Sequence, residues 1–508
     1  MFVQSAMSAA EEATGGPMAW SAEPDSDQGR ALLRRAMLAG PASGSEGLDV
    51  QGRSRLLAGL VDSAQVRAAL AVSGHVDRRR RTLTGEATVH AVLGLCLFSG
   101  EGYDAVLGRT MPLLGGAATM GGRVPTGAAL SKARVRVGED PLRHLFEASA
   151  ATAPAPGIGS VAFGLELTAF DGTTTELAAE DVLAEEFGVP TGGPRPLARM
   201  VTLVSCGDRR VKAAAIGSYR TSEQELTDRL AGSLAPGTLN LADRNFFSLQ
   251  RWQRFSASGA QLAWRVKNGA HSLPAKRLQR LGDGSYLVRL HESDSMRAKR
   301  RKDSGDPHAP RLPDTIARLV EFDVAVQDLR GRRRVSRIRL LTTLLDHRAY
   351  PARELAKTYA QRWQVEITYL RIKKELRGTG TALRGRSPEL ARQELWAFLI
   401  VYNALCDLAS RVAALEGIDP DEIAFVAVLR LTRSHLDGDT SCHHCGRRPS
   451  DNGDPLTALT SDITAHPRNR TGRSRTSPRT ATERRTSHTR EAIYTITIAE
   501  SNLPKADS

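Results

Sequence analysis

Cysteine is scarce in this chain, with five in 508 residues, and Cys96, Cys206, Cys406, Cys442 and Cys445 are scattered. They frame no disulfide scaffold, so the fold must rest on buried cores in a reducing compartment. The closest pair, Cys442-His-His-Cys445, has a zinc-like spacing but no second pair. Four ligands on so short a stretch can hardly close a tetrahedral site, and we read it as non-metal. Aromatic residues are few at 5%, yet a hydrophobic share of 41% is ample for real cores. Long apolar runs are missing: the longest, Leu395 to Leu408, is interrupted by Tyr402, Asn403 and Asp407 and is too short to span a bilayer. The first 41 residues have neither the basic start nor the apolar run of a secretory signal. The chain therefore reads as cytoplasmic, with no membrane partner. Acidic charge is in the minority, with Lys+Arg 70 against Asp+Glu 56, net +14 and pI near 9.9. Such a balance favours polyanions, nucleic acid before an anionic membrane surface. Abundant Ala, Gly and Arg point to a GC-rich coding sequence, which accounts for part of that charge.

The texture changes along the chain. Residues 1–45 read as a disordered extension and residues 46–150 as a helical N-terminal domain. In the latter, Thr84 is placed to cap an amphipathic helix through Val89, Leu93 and Leu97. Pro125-Thr126 begins a short helix with Lys132, Arg134 and Arg136 projecting, which suits a DNA-binding module and the solvent face of a small bundle equally well. Past the linker Ala153–Gly157 the pattern is strands: Val161 to Phe170, ending at Asp171-Gly172-Thr173, and a hairpin of Met200–Cys206 with Val211–Ile216. A helix, Glu223 to Leu230, precedes the strand Thr238–Ala242, which ends at Asp243. Leu262–Lys267, Gly284–Leu290 and Arg337–Leu345 read as further strands, and Ser293–Pro313 as a mobile basic loop carrying Arg297-Ala-Lys-Arg-Arg-Lys302. Pro351 suits the first turn of a long helix, and Pro388 to about Leu415 a buried one. Residues 431–508 read as a basic, largely disordered tail.

The long helix carries the most informative spacing. Tyr359, Arg362, Glu366 and Lys373 stand at offsets of about 0, 3, 7 and 14, which at about 100° per residue fall within one narrow sector. One acid among three groups able to grip phosphate suggests metal-dependent chemistry on a phosphodiester. Asp171 and Asp243 at two strand ends, with Glu366 on the following helix, make a three-carboxylate set able to hold two Mg²⁺ ions. In two-metal catalysis such ions stabilise the attacking and leaving oxygens of an in-line displacement. Alone, each aspartate is a turn or cap residue; the three together outweigh that reading.

Asp171-Gly-Thr, Ala242-Asp243-Arg-Asn-Phe and the Tyr359/Arg362/Glu366/Lys373 helix resemble the DDE transposases of the insertion-sequence-four family. So do Leu383-Arg-Gly-Arg-Ser-Pro388 onward to Trp396, and Pro125 to Gly138 upstream; the resemblance covers roughly residues 50–430. It implies an α/β fold with a ribonuclease H-like catalytic core at 158–430, a β-rich insertion at about 250–335, and the helical N-terminal domain before it. It implies Asp171, Asp243 and Glu366 as ligands of two Mg²⁺ ions, with Mn²⁺ able to substitute, and Tyr359, Arg362 and Lys373 as contacts to the DNA backbone. Some relatives stack an insertion tryptophan on a flipped base; Trp264 is the candidate here, although a core tryptophan is the better reading and Trp252 competes. The implied activity is nicking at insertion-sequence ends followed by attack of the freed 3′-OH on target DNA. The implied partners are double-stranded DNA (terminal inverted repeats and target) and a second copy of the chain in a synaptic homodimer, in a nucleoid-associated location. A metal-dependent nuclease on the same core and a non-catalytic DNA-binding relative are the alternatives.

Overall fold

The structure is a computed structural model that describes residues 56–505 apart from 58, 76, 79–80, 112–123, 152–160, 270–272, 328–332, 380–381, 438–454 and 467–492. The expectations for residues 1–45, for the linker Ala153–Gly157, for Cys442 and Cys445, and for the arginines from Arg468 to Arg490 lie outside the described residues. Two compact units divide the chain. One takes Met1–Ala148, Glu375–Gly378 and Trp396–Arg470; the other takes Ser149–Lys374, Thr379–Leu395 and Thr471–Ser508.

The first unit is helical. It contains α1 (Ser63–Val72), α2 (Gly85–Leu97), α3 (Tyr103–Thr110), α4 (Gly127–Val137) and most of α5 (Asp140–Ala151). Thr84 caps α2 by accepting from the Ala87 N–H, as its position suggested, but the helix is buried on nearly every side rather than amphipathic. Its Gly94 lets α3 come close, since a Cβ there would stand 2.6 Å from the Thr110 methyl. On α4, Lys132 and Arg136 are exposed, but Arg134 does not project. It is buried, donates to the Tyr103 hydroxyl at 2.6 Å and lies over the same ring. Its long stem and planar head find packing and a partner inside the bundle, which the charge alone did not reveal.

The second unit is built on one sheet of eleven strands: β1 (Val161–Ala162), β2 (Leu165–Glu176), β3 (Leu197–Ser205), β4 (Val211–Ser218), β5 (Thr238–Ala242), β6 (Gln261–Val266), β7 (Ala275–Arg280), β8 (Tyr286–Leu290), β9 (Thr315–Gln327), β10 (Arg333–Thr342) and β11 (Ile493–Ile498). The order is β4-β3-β2-β5-β6-β10-β9-β8-β7. β2, β3 and β4 form an antiparallel meander, and β5 and β6 add parallel to β2. That meander followed by two parallel strands is the ribonuclease H-like core. β10, β9, β8 and β7 continue the same sheet antiparallel and constitute the β-rich insertion.

Helices α6 (Asp181–Phe187), α7 (Glu223–Asp228), α8 (Leu249–Ser256), α9 (Asp294–Ser304), α10 (Ala352–Tyr359) and α11 (Gln364–Leu370) accompany the sheet. α9 corrects the expected mobile loop. Ser293 caps it through the Met296 N–H, and Arg300 reaches back at 2.7 Å to Glu292, which is 1% exposed. A buried carboxylate needs a cation, and that demand orders a segment whose composition reads as solvated. α12 (Pro388–Glu416) is long and apolar enough to cross a bilayer, yet 67% of its most apolar window is buried in the protein.

The tail is another correction. Beyond Leu431 the chain continues through α13 (Phe425–Asp437), α14 (Pro455–Ala465) and β11, which pairs antiparallel with β9 from Phe322 to Gln327. Ser501 donates to Glu321 at 2.6 Å, Asn502 accepts from Arg339, and Leu503 is buried in the sheet's core. Glu321 and Arg339 form a buried pair at 3.1 Å that these tail residues help to satisfy. Ending the chain before Ile493 should therefore speed amide exchange over Phe322–Gln327 while Thr315–Leu319, paired with β8, stays protected. Hydrogen exchange read by mass spectrometry checks this; unchanged protection across β9 would contradict it.

Candidate active site

The parallel pairing of β2 and β5 sets the site. Leu167 lies against Leu239 and Ala169 against Leu241; continued along both strands, the same register brings Asp171 level with Asp243. Side chains two residues apart share a face, so both carboxylates leave the sheet on the side of Leu167 and Leu241. Asp243 follows the last residue of β5, as its sequence context indicated. Asp171 does not end a strand: β2 continues to Glu176, paired with β3 through Thr173–Thr175. The strand was expected to end at Asp171-Gly172-Thr173, but β-branched Thr173, Thr174 and Thr175 extend the antiparallel ladder instead. Backbone N–H groups hold both aspartates, Gly172 at 2.8 Å from Asp171 and Arg244 at 2.7 Å from Asp243.

The helix carrying the third acid is not uniform. α10 runs into a 3₁₀ turn, Ala360–Trp363, then α11, then a π-helical turn, Arg371–Leu376. π turns are rare and frequent at functional sites. Pro351 precedes α10 as expected, and Asp283 from the β7–β8 turn accepts from the first helical N–H, Ala352, at 2.8 Å. Asp283 also pairs with the buried Arg318, so the insertion braces the start of this helix. Arg209 braces α11, donating to Gln364 at 2.7 Å.

The structure gathers Tyr359, Arg362 and Glu366 around the two aspartates. Arg362 donates to Glu366 at 2.8 Å and stands 3.5 Å from Asp171. Burial alone would lower its pKa, but Tyr359, Asp171, Asp243 and Glu366 outweigh burial and hold the guanidinium above its ordinary value. Burial raises Asp171 from 3.8 to about 6; Arg362 and the Gly172 N–H oppose that, while the charges of Glu366 and Glu223 add to it. The Tyr359 hydroxyl donates to the Ala242 carbonyl at 3.3 Å, and burial pushes its pKa up. Lys373 lies further on, half-buried in the π turn.

Two residues that the sequence reading passed over belong here. The Tyr369 hydroxyl donates to the Asp171 carbonyl at 2.6 Å, and Arg265 stands 3.7 Å from Asp243. Tyr369 had a signal, since it follows Glu366 at i+3; Arg265 had only its alternation with Trp264. A cavity of about 50 Å³ adjoins Arg362, lined in part by Arg265, Tyr359 and Trp363.

Trp264 corrects the idea of a base-stacking residue. It is fully buried, donates to Asn240 at 2.9 Å and packs edge-on against Trp252 and Phe255 at 5.7 and 5.6 Å. Trp252 is equally buried. Neither ring reaches solvent, so neither can meet a DNA base.

Carboxylate oxygens alone make up the acidic set, the donor type that hard divalent cations take. Among the described residues no three His, Cys, Asp or Glu side chains are close enough to hold an ion as they stand. The Arg362 guanidinium lies between Asp171 and Glu366 instead, a cation already balancing them. The donor type suits a divalent ion, while the cation these carboxylates face as they stand is Arg362.

Residues 52–147 match the family described as insertion element 4 transposase N-terminal, and residues 163–404 match the transposase DDE domain. The chain is 28% identical over 377 residues to the transposase InsG for insertion sequence element IS4 of Escherichia coli K12, covering 72% of this chain and 79% of that protein. It is 25% identical over 217 residues to the putative transposase InsZ of the same organism, covering 42% of this chain and 70% of the relative. Among solved structures, a piggyBac transposase synaptic complex with hairpin DNA aligns over 82% of this chain and 86% of its own at 11% identity and a TM-score of 0.39, too loose a likeness to bear on function.

The raised Asp171 gives a pH signature. Between its unfolded value of 3.8 and about 6 the folded chain binds a proton that the unfolded chain does not. Wild type should therefore gain stability over Asp171→Asn as pH falls through about 6, by up to about 3 kcal/mol near pH 4. Urea denaturation of both proteins at pH 7 and pH 4.5, without metal, checks the sign. Trp264→Ala should cost about 3–5 kcal/mol in the same assay, as expected of a core ring; a cost near zero would return it to the surface.

Proposed function

This chain belongs to the DDE transposases of the insertion-sequence-four family, and we propose that it cuts at insertion-sequence ends and joins the freed 3′-OH to target DNA through Asp171, Asp243 and Glu366. The observation that carries the assignment of those residues is the level placement of Asp171 and Asp243 on neighbouring parallel strands, with Arg362 and Glu366 closing over them. Divalent metal use goes with the DDE domain; we take the metal to be Mg²⁺, two ions, replaceable by Mn²⁺, held by the three carboxylates. Bound there, the metal would supply Lewis-acid stabilisation to the attacking and leaving oxygens of an in-line displacement. No covalent intermediate with the protein is required.

The chain's own groups do the positioning. Arg362 is released from Asp171 and Glu366 when another cation neutralises them, and the adjoining cavity leaves room for its guanidinium to turn. Once freed, it can grip a phosphate bidentately. Lys373 follows as a point charge, and Tyr359 anchors the start of this stretch to the Ala242 carbonyl beside Asp243. The DNA is double-stranded, with terminal inverted repeats at the cut and a target at the joining step. Bringing two ends together calls for a homodimer in the synaptic complex, in the cytoplasm at the nucleoid.

A labelled DNA fragment carrying the element end tests this, with and without Mg²⁺, for wild type and Glu366→Gln. Metal-dependent cutting and joining, both lost by at least about a hundred-fold in the variant while DNA binding persists, is the expected result. Cutting without joining would indicate a nuclease, and binding without cutting in either protein a non-catalytic relative.

A further inference from the structure

The turn between β3 and β4 joins the strand of one acid to the helix of another. The Cys206 N–H donates at 2.8 Å to the carbonyl of Leu167, which lies on β2 ahead of Asp171. From the same turn Arg209 meets α11 twice. Its Nε–H donates to the Gln364 side chain at 2.7 Å. Its carbonyl accepts from the Thr368 hydroxyl at 3.3 Å, a proton that Thr368 shares with the Gln364 carbonyl at 3.2 Å. Arg209 is 4% exposed, and Gln364 and Thr368 are buried with it.

The backbone at Arg209 is strained. Its φ is +64°, and Phe163 is the only other non-glycine residue with a positive φ among the described residues. A turn that needs a left-handed residue takes glycine by default, since a Cβ there crowds the carbonyl. An arginine in this place keeps a strain that glycine would relieve. What it adds is a side chain long enough to reach α11, and strain held by surrounding contacts clusters at functional sites.

At about 100° per residue Gln364 and Thr368 share one face of α11, and Glu366 leaves from the opposite side. A helix held at two points one turn apart on its back is not free to roll. The grip matters because α11 is seven residues long and lies between the 3₁₀ turn and the π turn. We propose that Arg209 is a positioning residue for Glu366, fixing the rotation of α11 so that this carboxylate faces the ion site. The proposal rests on the reading of Asp171, Asp243 and Glu366 as ion ligands. A carboxylate turned aside can still meet the long, flexible Arg362, but a small divalent ion demands its ligands at set distances and angles.

Two readings of the full chain test this: Mn²⁺ affinity by electron paramagnetic resonance without DNA, and the urea midpoint without metal. The proteins are wild type, Arg209→Gly, Arg209→Met and Glu366→Gln. Arg209→Met keeps a stem on a strained backbone and loses the donor, whereas Arg209→Gly loses stem, donor and strain together. Their urea midpoints should therefore differ from each other, while both bind Mn²⁺ about ten-fold or more weakly than wild type. Wild-type affinity in either variant, or affinity that falls only in the less stable of the two, would overturn the positioning role. Reduced affinity in Glu366→Gln alone would then leave the three-carboxylate reading standing. Equal affinity in wild type and Glu366→Gln would overturn both.

Discussion

The ion pairs that Arg362 makes with Asp171 and Glu366 are the contacts on which the catalytic end of this protein depends. They join the central strand to the helix that follows the insertion, in a place where Arg362 and Asp171 are largely withdrawn from water. Deleting one member of a buried pair leaves its partner uncompensated, at a typical cost of about 3–5 kcal/mol. In the metal-free chain the guanidinium therefore keeps like charges from driving the site apart. Under the proposed function the same charge would pass to a DNA phosphate once a divalent cation takes over that task. Stability without metal and the proposed grip on DNA with metal would then be two uses of one residue.

The rest of the second unit can be understood as fixing the two sides of that contact. The parallel register of β2 with β5 sets the aspartates level. Tyr369 and Tyr359 tie the helical stretch to the backbone at Asp171 and at Ala242. The insertion contributes structure before it contributes any surface, since Asp283 starts α10 and Arg318 holds Asp283, while Trp264 on β6 of the core packs behind β5. β11 returns from the far end of the chain to complete β9 and to help satisfy Arg339 and Glu321.

Much of this was legible in the sequence. The three acids, the tyrosine and the arginine could be named from local pattern, because a strand followed by Asp and a helix with polar residues at fixed offsets are short-range signals. The ribonuclease H-like core followed from the resemblance those residues carry. What escaped were features that depend on distant partners. β2 overran Asp171 because β3 offered Thr173–Thr175 a ladder. Helix α9 formed because Glu292 is buried and needs Arg300. Arg134 turned inward because Tyr103 stood within reach. β11 could not be read from Ile493–Ile498 alone, since a short alternating strand at the end of a basic stretch gives no hint of the edge it will join. Regular spacing on an ideal helix also passed over the 3₁₀ and π turns that separate Tyr359, Glu366 and Lys373 into differently wound segments.

The claim that Asp171, Asp243 and Glu366 converge on one ion site is tested most directly by replacing Mg²⁺ with Fe²⁺ and letting ascorbate and peroxide generate hydroxyl radicals at the bound metal. The account predicts backbone cuts close to all three residues in the same protein, suppressed together by excess Mg²⁺. Cuts confined to one of them, or placed elsewhere and insensitive to Mg²⁺, would contradict it.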